Sequence, residues 1–268
     1  MTTATFTDTV LERELRELRA NAPASVGFGA LVATGIADRY APLETPLGRA
    51  FVAWNGRGVS WIGRAPDRAE FEARFRADVG REIARTDELP ERLRRAIARR
   101  IAGDRRVQIP LDLRGHTPFE VAVWMKALEI PRGEVRPYGW IAAEIGKPKA
   151  VRAVGTALAH NPVPLVVPCH RVVRSDGMIG QYSMGGPDAK RRVLSSEGLD
   201  TTWLEAEAAA GHRFTGSDTT HIVCNPTCRD ARRVTPQHRV TFPSLAAARN
   251  AGYRPCLHCR PVALAGAA

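Results

Sequence analysis

The sequence predicts an α+β protein built from three parts in chain order. Residues 49–63 have the alternating pattern of a β-hairpin, and helical patterns flank it. Further helical patterns fill 117–198, and two close cysteine pairs follow in a segment of different composition. We therefore expect a small mixed α/β N-terminal subdomain with a leading helix at 1–114, a mostly helical domain at 115–200 and a small α+β module at 213–262.

Charge and length narrow the class of protein. A chain of 268 residues has room for two or three compact units, and its formal net charge is +11. This charge favours a polyanionic partner, with nucleic acid the leading candidate, although an arginine-rich proteome would also produce it. No run approaches the roughly 18 apolar residues of a membrane span, and the N-terminus has no signal-peptide pattern. We expect a cytoplasmic protein that does not contact membranes.

The N-terminal part is predicted to hold three helices and three strands. The helices are expected at 8–20, 67–79 and 90–101, the last one very basic. Ala50–Trp54 and Val59–Ile62 are expected to pair across an Asn55–Gly58 turn, and Val107–Leu113 alternates like a further strand. We find no catalytic constellation in this part.

The central part begins with a helix-start signal. Thr117 is a capping residue, Pro118 suits the first turn, and Glu120 completes a capping box for a helix reaching about Ile130. Two further helices, 138–145 and 148–159, are separated by a Gly-Lys turn, which is helix-turn-helix spacing. A last helix is expected at 187–196, stopped by Gly198. Residues 200–212 are expected to be a linker or a loose helix.

The stretch Leu165–Val173 carries the chemistry. Cys169 and His170 lie side by side between apolar β-branched runs, which predict buried extended backbone. Since a cysteine attacks as the thiolate, His170 is the candidate base and Arg171 and Arg174 supply positive charge. Neighbouring side chains of an extended chain point to opposite faces, so a relay through one water is expected rather than a direct hydrogen bond. An inert buried cysteine is the ordinary alternative.

The motifs around this stretch decide between the two. Asn-Pro-Val-Pro precedes it at 161–164, Pro-Arg-Gly-Glu-Val-Arg-Pro-Tyr lies upstream at 131–138, and Ser-Glu-Gly follows at 196–198. Together they strongly resemble the O6-alkylguanine-DNA alkyltransferase family, closely over 117–198 and more loosely back to about 40. The resemblance implies repair of alkylated double-stranded DNA by a single-turnover methyltransferase that moves the alkyl group from a flipped guanine to Cys169.

The resemblance also implies roles for individual residues around the acceptor. It makes His170 the base through a water and Glu197 the carboxylate that polarises His170. Asn161 holds the active-site turn, and Tyr138 rotates the phosphate and contacts guanine.

The DNA-binding residues implied by the resemblance lie mostly on the second helix of the helix-turn-helix. Arg152 fills the gap left by the flipped base, and small neighbours admit the minor groove. Ser183 and Lys190 belong to the loop and helix that close over the base, although this loop is one residue longer than the family's usual one. The full DNA-binding set is Arg152, Ala150, Val151, Gly155, Ser183 and Lys190.

The cysteine pairs predict a metal site. Cys224 and Cys228 form C-x3-C, and Cys256 and Cys259 form C-x2-C, which is a strong signal for one tetrahedral Zn²⁺. Such a short segment buries little apolar surface, so the metal would supply folding energy. His221, His238 and His258 are alternative ligands, and free thiols without metal are the bland alternative. No organic cofactor is expected.

The segment 213–262 resembles the Ada-type zinc domain. In that family the first cysteine of C-x3-C is both a zinc ligand and a methyl acceptor from DNA methylphosphotriesters, which implies that role for Cys224. A purely structural zinc module stays open, and the order of the two parts is reversed relative to the family's namesake. A non-enzymatic lesion sensor, a methylation-responsive regulator and a cysteine hydrolase are the competing functions. We expect a monomer.

Overall fold

The structure is a computed structural model, and it describes residues 24–263. The helix predicted at 8–20 lies outside the described residues. Among residues 24–263, no helix is both long enough and apolar enough to cross a membrane.

The N-terminal part is a four-stranded sheet with helices against it. Its elements are α1 (Ala24–Thr34), β1 (Ala37–Thr45), β2 (Gly48–Asn55), β3 (Gly58–Gly63), α2 (Arg68–Val79), β4 (Glu82–Arg85) and α3 (Glu91–Ile101). The strands lie in the order β3-β2-β1-β4, antiparallel except for the parallel pair β1 and β4. The predicted hairpin is confirmed, with Asn55 opposite Gly58 at its turn.

The prediction of a strand at Val107–Leu113 is wrong. Within the described residues, this segment forms no ladder and makes one isolated bridge, between Leu111 and Val59. Pro110 has no N–H to donate, which prevents a regular ladder at this position. The bridge consists of two hydrogen bonds, from the N–H of Val59 to the carbonyl of Pro110 at 2.9 Å and from the N–H of Asp112 to the carbonyl of Val59 at 2.8 Å.

The central part consists of short helices around the nucleophile stretch. They are α4 (Pro118–Ala127), α5 (Tyr138–Glu144), α6 (Val151–Ala159) and α7 (Gly186–Ser196), with a two-stranded parallel sheet of β5 (Arg136–Pro137) and β6 (Val172–Val173). The capping box of α4 is confirmed, since Thr117 Oγ1 accepts from the N–H of Glu120 at 3.2 Å. Helix α4 ends at Ala127, three residues before the predicted end, and α6 begins three residues later than predicted.

One hydrophobic core joins the N-terminal sheet to these helices. Val52 and Ile62 of the sheet belong to the same buried cluster as Trp124, Ile141 and Cys169. Trp124 also donates its indole N–H to the carbonyl of Ala157 at 2.7 Å, which pins α4 to α6. The nucleophile stretch is therefore held from several sides by packed elements.

The C-terminal part begins with a regular helix. Residues 201–209 form α8 (Thr201–Ala209), capped by Asp200 and buried through Leu204 and Ala208, so this segment packs as a helix and is not a linker. A second sheet with one short helix follows, built from β7 (Phe214–Ser217), β8 (Ile222–Cys224), β9 (Arg239–Phe242), α9 (Leu245–Asn250) and β10 (Arg254–Pro255). Its strands lie in the order β10-β8-β7-β9.

Candidate active site and metal centre

Cys169 lies in a tight turn and not in an extended strand. Cys169–Arg171 form a 3-10 helix that leads into β6, which corrects the expectation of extended backbone through the nucleophile. The turn is closed by two main-chain hydrogen bonds, Cys169 N to Val167 O and Arg171 N to Pro168 O, both 2.9 Å. Proline at 168 favours such a turn because it cannot donate to a strand partner.

Asn161 contacts the nucleophile directly. Its Nδ2 donates to Cys169 Sγ at 3.1 Å and to the carbonyl of Val167 at 3.0 Å, while its Oδ1 accepts from the N–H of Val163 at 3.0 Å. Leu165, which lies between Val163 and Val167, has a φ of 72°, a left-handed conformation that side-chain-bearing residues rarely adopt. One buried amide thus fixes both a strained loop and the sulfur atom.

The imidazole of His170 is oriented by a buried carboxylate. Its Nε2 lies 3.0 Å from Glu197 Oε1, and Arg171 binds the same carboxylate in a bidentate way, with Nη2 to Oε1 at 2.7 Å and Nε to Oε2 at 3.0 Å. A carboxylate partner favours the tautomer with the proton on Nε2. His170 Nδ1 is buried and has no hydrogen-bond partner among residues 24–263, so its lone pair is available to accept a proton.

Burial sets the protonation states at this site. It raises the pKa of the Cys169 thiol, against a lowering by the hydrogen bond from Asn161. Burial lowers the pKa of His170, with Glu197 opposing it. Burial alone would raise the pKa of Glu197, but hydrogen bonds from His170 and Arg171 outweigh it and lower this pKa to about 2. A neutral thiol and a neutral imidazole beside a fixed carboxylate are the starting state for a proton transfer.

Lys190 lies in the interior of the protein and not on an exposed surface. Its side chain is 1% exposed, and its ammonium donates to the carbonyl of Val172 at 2.6 Å. It also lies 5.9 Å from the ring centre of Tyr138. Burial lowers the pKa of Lys190 to about 8. This lysine therefore supports the strand that follows the nucleophile turn, and its contact with DNA stays a prediction.

The remaining residues of the predicted DNA-binding set lie at or near the surface. Arg152 is exposed on α6, Val151 and Gly155 of the same helix are half-buried, and Ala150 is half-buried at its start. Ser183 is exposed in the loop before α7. Tyr138 begins α5 and is half-buried.

A cavity of 640 Å³ adjoins the nucleophile turn. Asn161, Pro164 and Ser183 line it together with residues of the N-terminal part, including Arg64. Cys169 is not among the lining residues, but Asn161, which contacts its sulfur, is. Arg64 donates to the carbonyl of Met184 at 3.3 Å, so the N-terminal sheet holds the loop beside the site. No local sequence pattern indicates this role for Arg64, which lies more than a hundred positions from that loop.

The four cysteines of the C-terminal module converge. Cys224, Cys228, Cys256 and Cys259 are all buried, and their Sγ atoms lie within 4.8 Å of one another. A tetrahedral zinc with bonds of about 2.3 Å needs sulfurs about 3.8 Å apart, so the cluster fits zinc. The N–H of Asn225 lies 3.3 Å from Cys259 Sγ, a donor that suits a thiolate ligand. The alternative histidine ligands are not part of this cluster.

Cys224 faces a second cavity. This cavity has a volume of 530 Å³ and is lined by Cys224 and Cys256 but not by the other two cysteines. Arg233, Arg254 and His238 also line it. Two of the four sulfur-bearing residues therefore border a basic groove.

Comparison with known proteins gives two family matches. Residues 118–199 match the model of the 6-O-methylguanine DNA methyltransferase, DNA binding domain, and residues 203–262 match that of the metal binding domain of Ada. The second match and the cysteine cluster together confirm the predicted zinc site.

Curated relatives resemble the chain over more than half its length. It is 36% identical over 177 residues to a methylated-DNA--protein-cysteine methyltransferase of Mus musculus, covering 61% of this chain and 82% of the relative. It is 38% identical over 156 residues to the bifunctional transcriptional activator/DNA repair enzyme Ada of Escherichia coli, covering 56% of this chain but 43% of that protein. A Mycobacterium tuberculosis OGT structure in complex with DNA matches with 29% identity and a TM-score of 0.47, covering 62% of this chain and 99% of that chain.

Proposed function

Since the chain belongs to the family of methylated-DNA–protein-cysteine methyltransferases, we propose that it repairs O6-alkylguanine in double-stranded DNA by one irreversible transfer to Cys169. The observation that carries the proposal is the buried thiol of Cys169, which accepts a hydrogen bond from Asn161 and directly precedes an oriented base, His170. A turnover needs no second substrate because the protein itself is the acceptor.

The proposed reaction is a nucleophilic displacement of guanine from the alkyl carbon by the sulfur of Cys169. The Cys169 thiol gives its proton to His170 Nδ1 through a water, and Glu197 stabilises the imidazolium that results. The sulfur attacks the alkyl carbon, forming an S–C bond as the C–O6 bond breaks. Guanine leaves with the electron pair of that bond and takes up a proton, balanced by the one that His170 returns through water, while Cys169 remains as a thioether.

The target base must leave the duplex before it reaches the thiol. O6 of guanine is inaccessible inside the stack, so the nucleotide is flipped into a pocket. We assign Tyr138 to contact with the phosphate and the guanine, Arg152 to the gap left in the stack, and Ser183 to the loop over the base. Helices α5 and α6 serve as a helix-turn-helix in this proposal, and the exposed position of Arg152 supports it.

Intact-mass measurement after incubation with a duplex containing O6-methylguanine tests the proposal. The wild-type chain should gain one methyl group at Cys169, and Cys169→Ser should gain none while binding the duplex as before. A lesion sensor without chemistry would bind the duplex and gain no methyl group in either form.

We further propose that Cys224 accepts a methyl group from DNA methylphosphotriesters. Zinc keeps its cysteine ligands deprotonated, which preserves nucleophilic character on sulfur at neutral pH. Cys224 borders the 530 Å³ groove, where Arg233 and Arg254 supply charge for the neighbouring phosphates. A purely structural module has no need of such a groove beside its ligands, and Cys224 is one of the two cysteines that border it.

A Cys169→Ser background isolates this second site. Methylphosphotriester DNA should then methylate Cys224 and no other cysteine, as mapped by peptide mass. If zinc is bound and no methyl group arrives, the module is structural and this second activity is absent.

The proposal also includes the predicted division of the chain at 1–114, 115–200 and 213–262, a cytoplasmic location and a monomer. None of the five cysteines forms a disulfide within the described residues, which suits a reducing compartment.

A further inference from the structure

We propose that the loop of the zinc centre positions the Cys169 site through the segment 133–136, called here the junction segment. Thr227, between the cysteines of the first pair, is the positioning residue. This inference rests on the proposed transfer to Cys169, and it gives the C-terminal module a role in that reaction which is separate from any methylation of Cys224.

The first contact is a hydroxyl that pairs with main chain. Thr227 is completely buried, and its Oγ1 accepts from the N–H of Val135 at 2.9 Å and donates to the carbonyl of Val135 at 3.4 Å. Val135 is itself buried, and its two polar main-chain groups need partners there. The threonine side chain from the zinc loop supplies the partner of the N–H, and it shares the carbonyl with Arg136 Nη1, which donates to it at 2.8 Å.

Two further contacts fix the residues just before Val135. The N–H of Arg229 donates to Glu134 Oε1 at 3.1 Å, and Arg232 Nη1 donates to the carbonyl of Gly133 at 3.3 Å. Glu134 is 3% exposed, and its other oxygen accepts from Arg136 Nη2 at 2.5 Å. Loss of either hydrogen bond to Glu134 would leave its buried carboxylate charge less well paired, which costs free energy. The junction segment therefore has one favoured arrangement.

The other side of the junction segment reaches the proposed catalytic groups. The N–H of Gly133 donates to Glu197 Oε2 at 3.2 Å, and Glu197 Oε1 is the atom that orients His170. Arg136 pairs with Val172, the residue that follows the nucleophile turn. A shift of the junction segment would therefore move both the carboxylate behind the base and the strand behind the thiol.

Gly133 is required by this arrangement. Its φ is 72°, and a Cβ on it would lie 3.2 Å from the carbonyl oxygen of Glu197. The main chain of the junction segment thus approaches the end of α7 so closely that a side chain at position 133 would be crowded.

The zinc centre determines whether this contact set forms. Thr227 is one of three residues between Cys224 and Cys228, so ligation at both ends fixes its loop. The hydrogen bonds from Thr227, Arg229 and Arg232 then transmit that fixed position across residues about a hundred positions apart in the chain.

The test replaces Thr227 by valine in the zinc-loaded full chain. Thr227→Val keeps the shape and removes the hydroxyl that pairs with Val135. We expect the single-turnover rate of Cys169 methylation to fall roughly 10-fold to 100-fold, as for other small misplacements of reacting groups. Zinc stoichiometry and the dissociation constant for duplex DNA should be unchanged, and Thr227→Ser should restore the rate.

A matched control and a second readout separate positioning from general damage. Thr241→Val makes the same substitution at a half-buried site of β9 in the same module and should react at the wild-type rate. Amide hydrogen exchange at Gly133 and Val135 should be faster in Thr227→Val and unchanged in Thr241→Val.

Three outcomes decide the matter. Wild-type methylation rates in Thr227→Val, or failure of Thr227→Ser to restore the rate, would overturn the inference. If Thr227→Val does not retain zinc, Glu134→Gln within the junction segment becomes the deciding variant. We expect slower transfer to Cys169 in this variant, and an unchanged rate would overturn the inference. A wild-type chain that gains no methyl group at Cys169 would instead refute the proposed function.

Discussion

At the residue scale, the site depends on charge states that the surroundings impose. The raised pKa of Cys169 keeps the thiol protonated, and the lowered pKa of His170 keeps the imidazole neutral. Glu197 stays ionised because His170 and Arg171 stabilise its charge. A base is therefore needed for transfer and is available at neutral pH.

The first prediction concerns the pH dependence of transfer. His170 accepts the thiol proton only when it is neutral, and its pKa lies below the ordinary value of about 6.5. We expect the single-turnover rate to stay high as pH falls to about 6.5 and to decline only at more acidic pH, where His170 becomes protonated.

Variants of the relay test that assignment. His170→Ala should react slowly but reach the same final extent, and its rate should lack the acidic decline. Glu197→Gln should also be slower, because the tautomer and ring orientation lose their carboxylate partner. The same acidic decline in His170→Ala and in the wild-type chain would remove His170 from the proton transfer.

Much of the site was predictable at this scale, and burial was the part that was not. The motifs singled out Cys169, Asn161 and Glu197, and these lie within one connected set of contacts. Lys190 was predicted to belong to the helix that closes over the base, and its residue type gives no sign that its ammonium is buried. Arg171 was expected only as a nearby positive charge, whereas it binds the carboxylate of Glu197.

At the element scale, local signals predicted structure where they were sufficient by themselves. The capping box at Thr117 and the hairpin turn at Asn55–Gly58 are complete within four residues, and both are present. The segment Val107–Leu113 alternates correctly but lacks a second strand with which to form a ladder. The turn at Cys169–Arg171 depends on Asn161 and Val167, so the apolar pattern alone predicted an extended chain there.

The second prediction belongs to helix α6. Arg152 is exposed on this helix, and its proposed role is to occupy the gap left by a flipped base. Arg152→Ala should slow repair of duplex DNA more than it slows reaction with free O6-alkylguanine, because only the duplex has a stack to be held open. Lys149→Ala, also exposed and just before the helix, is the matched loss of one charge. Equal losses on both substrates in Arg152→Ala would indicate a structural role instead.

At the scale of the whole molecule, two kinds of core divide the chain. The large hydrophobic core joins the N-terminal sheet to the central helices, whereas the C-terminal sheet has a small cluster of its own. The latter contains Phe214, Val223, Phe242, Leu245, Ala248 and Tyr253. The contact between Thr227 and Val135 links the C-terminal module to the central part across 92 positions. No local pattern indicates such a contact, so sequence reasoning treated the module as separate.

The third prediction concerns removal of zinc. A cluster of six buried residues is too small to hold this module, so metal binding must supply much of its folding free energy. Chelation should accelerate amide exchange throughout β7 to β10 and lower the melting temperature. Exchange in α4, whose Trp124 lies in the large core, should change little. Cys259→Ala should show the same exchange pattern without chelator and no further change with it. If the module keeps its protection after zinc is removed, its packing suffices without metal, and zinc serves the chemistry of Cys224 alone.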